Sequence, residues 1–138
     1  MPTFPSVQLE RLPKLSPTDL RLLWVNDWYE GPVEAVVELR GARCLMVLHH
    51  QDVASENPYR WVIFELTPEQ LADEQKWHAL YVEHVGDHWC FHDAAVLAHA
   101  APVQPRDPER FHALHEDRED LDLSSNIALG WIDEMPKR

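Results

Sequence analysis

The sequence predicts an α+β fold: a twisted antiparallel sheet with one long helix packed on one face and a second short helix. Three observations carry that prediction. Residues 33–40 alternate apolar and polar with period two, then turn through Arg40-Gly41-Ala42 into the apolar run 43–49, the pattern of a hairpin. Residues 59–66 are rich in β-branched and aromatic side chains. Thr67-Pro68-Glu69-Gln70 has the composition of a capped helix start, with proline at the first helical position and glutamine closing a capping box.

Taken in order, residues 1–18 form a proline-rich N-terminal arm, and residues 19–138 a single α+β domain. Pro2, Pro5, Pro13 and Pro17 keep the arm extended, because proline removes backbone donors and fixes φ. Leu9, Leu12 and Leu15 are the side chains able to pin it. A first strand spans 21–27, and residues 26–32 read as a turn. In 33–40, Val33, Ala35, Val37 and Leu39 share one face, Glu34, Glu38 and Arg40 the other, and Val36 interrupts the polar side. The run Cys44-Leu45-Met46-Val47-Leu48 calls for cover on both faces. The helix opened by Thr67 should run to about Val85 and stop at Gly86, with Leu71, His78, Tyr81, Val82 and Val85 on one face. Residues 88–92 suit a short strand, and 93–101 suit helix or strand equally. Asp107-Pro108 starts a second helix that ends near Asp117, and 127–132 is a last strand. Consecutive strands with short connections pair antiparallel.

The 138 residues are enough to bury a core without a disulfide or metal staple. Twenty-four acidic residues against twelve basic ones give a formal charge of −12. A phosphate backbone or an anionic membrane repels such a surface, so neither nucleic acid nor membrane is an expected partner. A basic protein is. Nine histidines accompany the acidity, and protonating all of them would bring −12 to −3. Cys44 and Cys90 sit among apolar neighbours and read as buried free thiols of a reducing compartment. The N-terminus lacks a basic segment followed by an apolar one, so the expected location is cytoplasmic.

No phosphate-binding glycine loop, serine elbow or paired-cysteine zinc motif occurs. Two constellations remain. Asp27, Trp28, Tyr29 and Glu30, next to Trp24 and ahead of Gly31-Pro32, group large aromatics with carboxylates, the composition of an interface anchor. His84, His88 and His92 recur every four residues, a spacing at which imidazoles on one helical face share a zinc ion. Asp87 or Cys90 would add a ligand, and Glu83 or Asp87 would serve as base. Gly86 stands against that reading by ending the helix between His84 and His88. His112-x-x-His115-Glu116 is a smaller cluster on a charged helix, and His49-His50 point to opposite faces of a strand.

The segment from Trp24 to Pro32, with Leu66-Thr67-Pro68-Glu69, Trp77-His78-Ala79-Leu80, His84-Val85-Gly86 and Gly130-Trp131, resembles a group of small uncharacterised bacterial proteins. In these an aromatic-Asp/Glu-Gly-Pro turn opens a hairpin and a Trp/His-bearing helix follows. The resemblance covers residues 22–132 and implies no activity. The sequence expectation is therefore a protein-binding domain of immunity or inhibitor character with no cofactor. The alternative is a metal-dependent hydrolase using zinc at the histidine cluster, so enzymatic status stays open.

Overall fold

The computed structural model describes residues 7–28, 32–51, 54, 56, 58–86 and 107–138. Five strands and two helices follow one another: β1 (Leu20–Trp28), β2 (Pro32–Leu39), β3 (Ala42–Gln51), β4 (Tyr59–Glu65), α1 (Pro68–His84), α2 (Pro108–Glu116) and β5 (Ala128–Ile132). The strands make one sheet in the order β1-β2-β3-β4-β5, antiparallel at every step. The α+β class and the long and short helices are as the sequence predicts. The strand expected at 88–92, the ambiguous stretch 93–101 and most of the proline-rich loop before Asp107 lie outside the described residues. No helix among the described residues is long and apolar enough to cross a membrane.

The chain divides into two compact units. One holds the described residues of Met1–Leu71 with Asp120–Arg138, and the other those of Ala72–Glu119. The first contains the sheet. Arg40 and Gly41 join β2 to β3 with φ of 49° and 86°, the paired left-handed residues of a tight hairpin turn. Cross-strand partners share a face, so the registers Val36↔Leu45, Leu45↔Phe64 and Val47↔Val62 build one apolar layer. Leu66 and Leu123 complete it, and Leu9, Leu12, Trp24 and Leu71 pack against it. Ala35, Val37, Cys44, Met46 and Ile63 fill the opposite face, all with no exposed surface. Each large apolar side chain so buried contributes about 1.5–3 kcal/mol. Val36, which interrupts the alternation of β2, is also fully buried.

Both ends of the chain finish the sheet. The arm contains two short 3-10 turns, Leu9–Arg11 and Pro17–Asp19, with an extended piece between them. Leu15 N–H donates to Trp131 C=O (2.8 Å), and Trp131 N–H donates to Pro13 C=O (3.0 Å), so the arm runs parallel along the outer edge of β5. At the other edge, Leu22 N–H of β1 donates to Lys137 C=O of the tail (2.8 Å), and Pro136 is buried. Only the turn Ser16–Asp19 separates Leu15 from the start of β1, and such a link reaches no more than about 18 Å. The sheet therefore coils enough for that link to span it, and register shifts along β1 add to the coiling. Each edge thus has part of its row of donors and acceptors engaged by the chain itself, at Trp131 and at Leu22.

The predicted caps are present. Thr67 Oγ1 accepts from Gln70 N–H (3.1 Å), and Gln70 Oε1 accepts from Thr67 N–H (3.0 Å). Val85 and Gly86 N–H both reach Tyr81 C=O, and Gly86 takes φ 102°, ending α1 where the sequence places its stop. Asp107 Oδ1 accepts from Arg110 N–H (3.0 Å) to cap α2. One expectation fails: Val82, assigned to the apolar face of α1, is 44% exposed, and the buried residue of that helix is Glu74.

The arm lies against β5 because residue 130 has no side chain. A Cβ at Gly130 would fall 2.6 Å from Leu15 Cγ and 2.7 Å from Pro13 O. Gly130→Ala should lower stability by about 1–3 kcal/mol in urea unfolding, and Leu15→Ala added to it should restore part of the loss.

Candidate functional site

The β1–β2 pair carries the acidic-aromatic candidate. Asp27 pairs with Glu34 and Trp28 with Pro32, the last rung described before residues 29–31. Tyr29 and Glu30 follow directly in sequence and lie outside the described residues. Two carboxylate residues thus share one rung, next to the Trp28 rung. Near the opposite end of the same strand pair the rung is of opposite charge: Arg21 faces Glu38 and donates to its Oε2 at 2.8 Å. Asn26 Nδ2 donates to Glu34 Oε1 at 2.8 Å and fixes that side chain. Glu34 was missed by sequence reasoning, because its pairing with Asp27 depends on a register shift between Val25 and Asp27.

The histidine candidate is only partly visible. His84 occupies the last residue of α1, its side chain 13% exposed and its Nε2 3.9 Å from Glu83 Oε2. His88 and His92, with Asp87 and Cys90, lie outside the described residues. Among the described residues no group of three or more histidine, cysteine or acidic side chains is placed to hold a metal ion. His115 of α2 joins an aromatic cluster, and His112 stands exposed beside Phe111. Phe111 stacks on His115 (5.4 Å between centroids) and meets Tyr81 edge-on (5.3 Å), while Trp77 meets both Phe111 and His115 edge-on. Those rings serve packing between α1 and α2.

Beside this cluster sits the charged group that sequence patterning does not reveal. Glu74 is 1% exposed, and its Oε1 accepts from Arg118 Nη2 at 2.8 Å. The same nitrogen donates to Asp73 Oδ2 at 3.0 Å, and the guanidinium lies over the Trp77 ring, 5.3 Å from its centroid. Arg118 is the only basic residue in the stretch 116–122. Its charge is directed inward, while Glu116, Asp117, Glu119 and Asp122 stand exposed.

Cys44 is buried in β3, as the sequence predicts, and among the described residues it is a free thiol. Its Sγ points to Ala42 C=O at 3.8 Å. Burial, with the Glu65 carboxylate adding to it, pushes the thiol from 9.0 up to about 11. A thiol so held is a poor nucleophile.

Comparisons with protein families, with curated proteins and with solved structures give no match.

Two outcomes follow from these charges. Arg118→Ala removes the guanidinium from Glu74 Oε1 and Asp73 Oδ2 and should cost about 1–3 kcal/mol in urea unfolding, and Glu74→Gln in the same chain should recover part of that. For Cys44, the folded thiol keeps its proton up to about 11, whereas an unfolded one titrates near 9.0. Its contribution to stability is therefore complete below pH 9 and disappears as pH rises from 9 to 11. Urea midpoints between pH 8 and pH 11 should fall more steeply for the wild-type chain than for Cys44→Ala, and equal slopes would contradict the assignment.

Proposed function

We propose that this chain is a protein-binding domain of immunity or inhibitor character, which holds a basic protein through Asp27, Trp28, Tyr29 and Glu30. The observation that carries the reading is the Asp27–Glu34 rung beside Trp28, in a chain whose formal charge is −12. An aromatic anchor beside paired carboxylates is suited to a lysine- or arginine-bearing surface. The aromatic supplies buried contact and a cation–π face, and the carboxylates supply charge. The wider negative field speeds encounter with the partner, and the exposed carboxylates at the end of α2 add to that field. Nucleic acid and anionic membranes are disfavoured by the same field.

The test is capture of partners from the source organism with immobilised full-length chain, followed by affinity measurement on the purified pair. Asp27→Lys, and Trp28→Ala with Tyr29→Ala, should each weaken binding at least about tenfold. The on-rate should fall steeply with added salt. Tight binding that survives both the double aromatic change and about 1 M salt, where charges are screened beyond about 3 Å, would overturn the proposal. Elemental analysis of untagged protein separates it from the histidine-cluster hydrolase: one equivalent of zinc retained through chelator treatment would favour the enzyme.

A further inference from the structure

The outer edge of β5 is filled by the chain's own arm, and the filling is specific in its side chains. Trp131 commits both backbone groups to it, accepting from Leu15 N–H and donating to Pro13 C=O. Leu15 enters the notch left by Gly130. Lys14 Nζ sits 3.0 Å from Asp133 Oδ2, whose side chain is only 15% exposed, and 5.4 Å from the centre of the Trp131 ring. The Arg60 guanidinium lies 5.6 Å from the same ring and limits what else can approach it. The seat thus has a backbone edge, a cation position made by an indole and a shielded carboxylate, and an apolar notch that only glycine at 130 leaves open.

We propose that this edge is a strand-docking site for an extended partner segment carrying lysine or arginine followed by leucine, running parallel to β5. The arm segment Pro13-Lys14-Leu15 is its internal occupant. Charge complementarity favours such a segment, because the chain is strongly acidic and the cation position is provided by Asp133 and Trp131. The occupant is replaceable. It adds one short bridge to β5, Lys14 is 55% exposed, and Leu9 and Leu12 upstream are only partly buried. Its strength comes from tethering, which presents it at about millimolar effective concentration, so a partner segment has to outcompete the arm. The inference rests on β5 and is independent of the β1–β2 hairpin: either can fail alone.

The test uses the full chain carrying Lys14→Ser and Leu15→Ser, which loosens the internal occupant, and a fluorescent peptide copying residues 11–17. Circular dichroism first establishes that the variant is folded. Anisotropy should then show saturable binding, tighter than to the wild-type chain, whose own arm competes. A peptide with Lys14→Glu or Leu15→Ser should bind at least about tenfold more weakly. Asp133→Asn in the protein should weaken the lysine peptide and leave a peptide with Lys14→Ser unaffected. Should the double variant fail to fold, Lys14→Ser alone takes its place with the same peptides. A folded variant that binds the native peptide no better than a scrambled one overturns the proposal. So does a wild-type dimer at high concentration that Leu15→Ser abolishes, since the edge would then belong to a second copy's arm.

Discussion

β3 lies at the middle of the five-stranded sheet with Cys44, Leu45, Met46 and Val47 all closed off from solvent, so neither of its faces is left to water. A strand buried on both sides makes a demand on everything around it: two layers of apolar cover must come from elsewhere in the chain. Leu66 and Leu123, with Leu9, Leu12 and Leu71 packed against them, supply one layer. The residues opposite Met46 and Ile63 belong to the other, where Gly130 pairs with Ile63 and leaves room for Leu15. Leu9 and Leu12 of the proline-rich arm therefore pack against the core, while Pro13-Lys14-Leu15 lies at the edge of β5 and the tail bonds to β1.

Local chemistry explains why most of the elements are legible in the sequence. A capping box, proline at the first helical turn and a terminal glycine act within a few residues, and α1 begins and ends where they place it. Period-two alternation and the Arg40-Gly41 turn act over one hairpin, and β2 and β3 follow them. What is not legible depends on partners far along the chain. Glu74 resembles any solvent-facing glutamate until Arg118, 44 positions later, reaches it. Val82 has the hydropathy of a core residue, but its turn of α1 points it outward. Gly130 looks like an ordinary strand glycine until the arm comes to lie on it.

The candidate sites show the same division. Asp27 and Trp28 could be picked out as a local cluster of aromatic and acidic residues, whereas Glu34 joins Asp27 only through bulged register. A bulge is a tertiary decision: it re-aims a strand to fit neighbours that composition does not name. The histidine spacing poses the reverse problem. Four-residue repeats are meaningful only on a continuous helix, and Gly86 ends α1 in a left-handed turn two residues after His84. Gly86 N–H closes the last turn on Tyr81 C=O, so of the three histidines α1 itself carries His84, and the other two lie outside the described residues.

The acidity itself is better understood from where the cations go. Lys14 is held by Asp133, Arg21 by Glu38, Arg40 lies near Asp19, and Arg118 is held by Glu74 and Asp73. Three of these pairs are at least partly exposed and each is worth no more than about 1 kcal/mol. The fourth is largely buried at Glu74 and Arg118, where a charge-assisted hydrogen bond is worth more than at the surface. What they share is placement: each basic side chain is turned to a carboxylate of its own chain, at a strand rung, a hairpin turn or the seat of the arm. These four basic side chains thus act within the fold. The exposed carboxylates at the end of α2, Glu116, Asp117, Glu119 and Asp122, lie outside these pairs and contribute to the outward negative field.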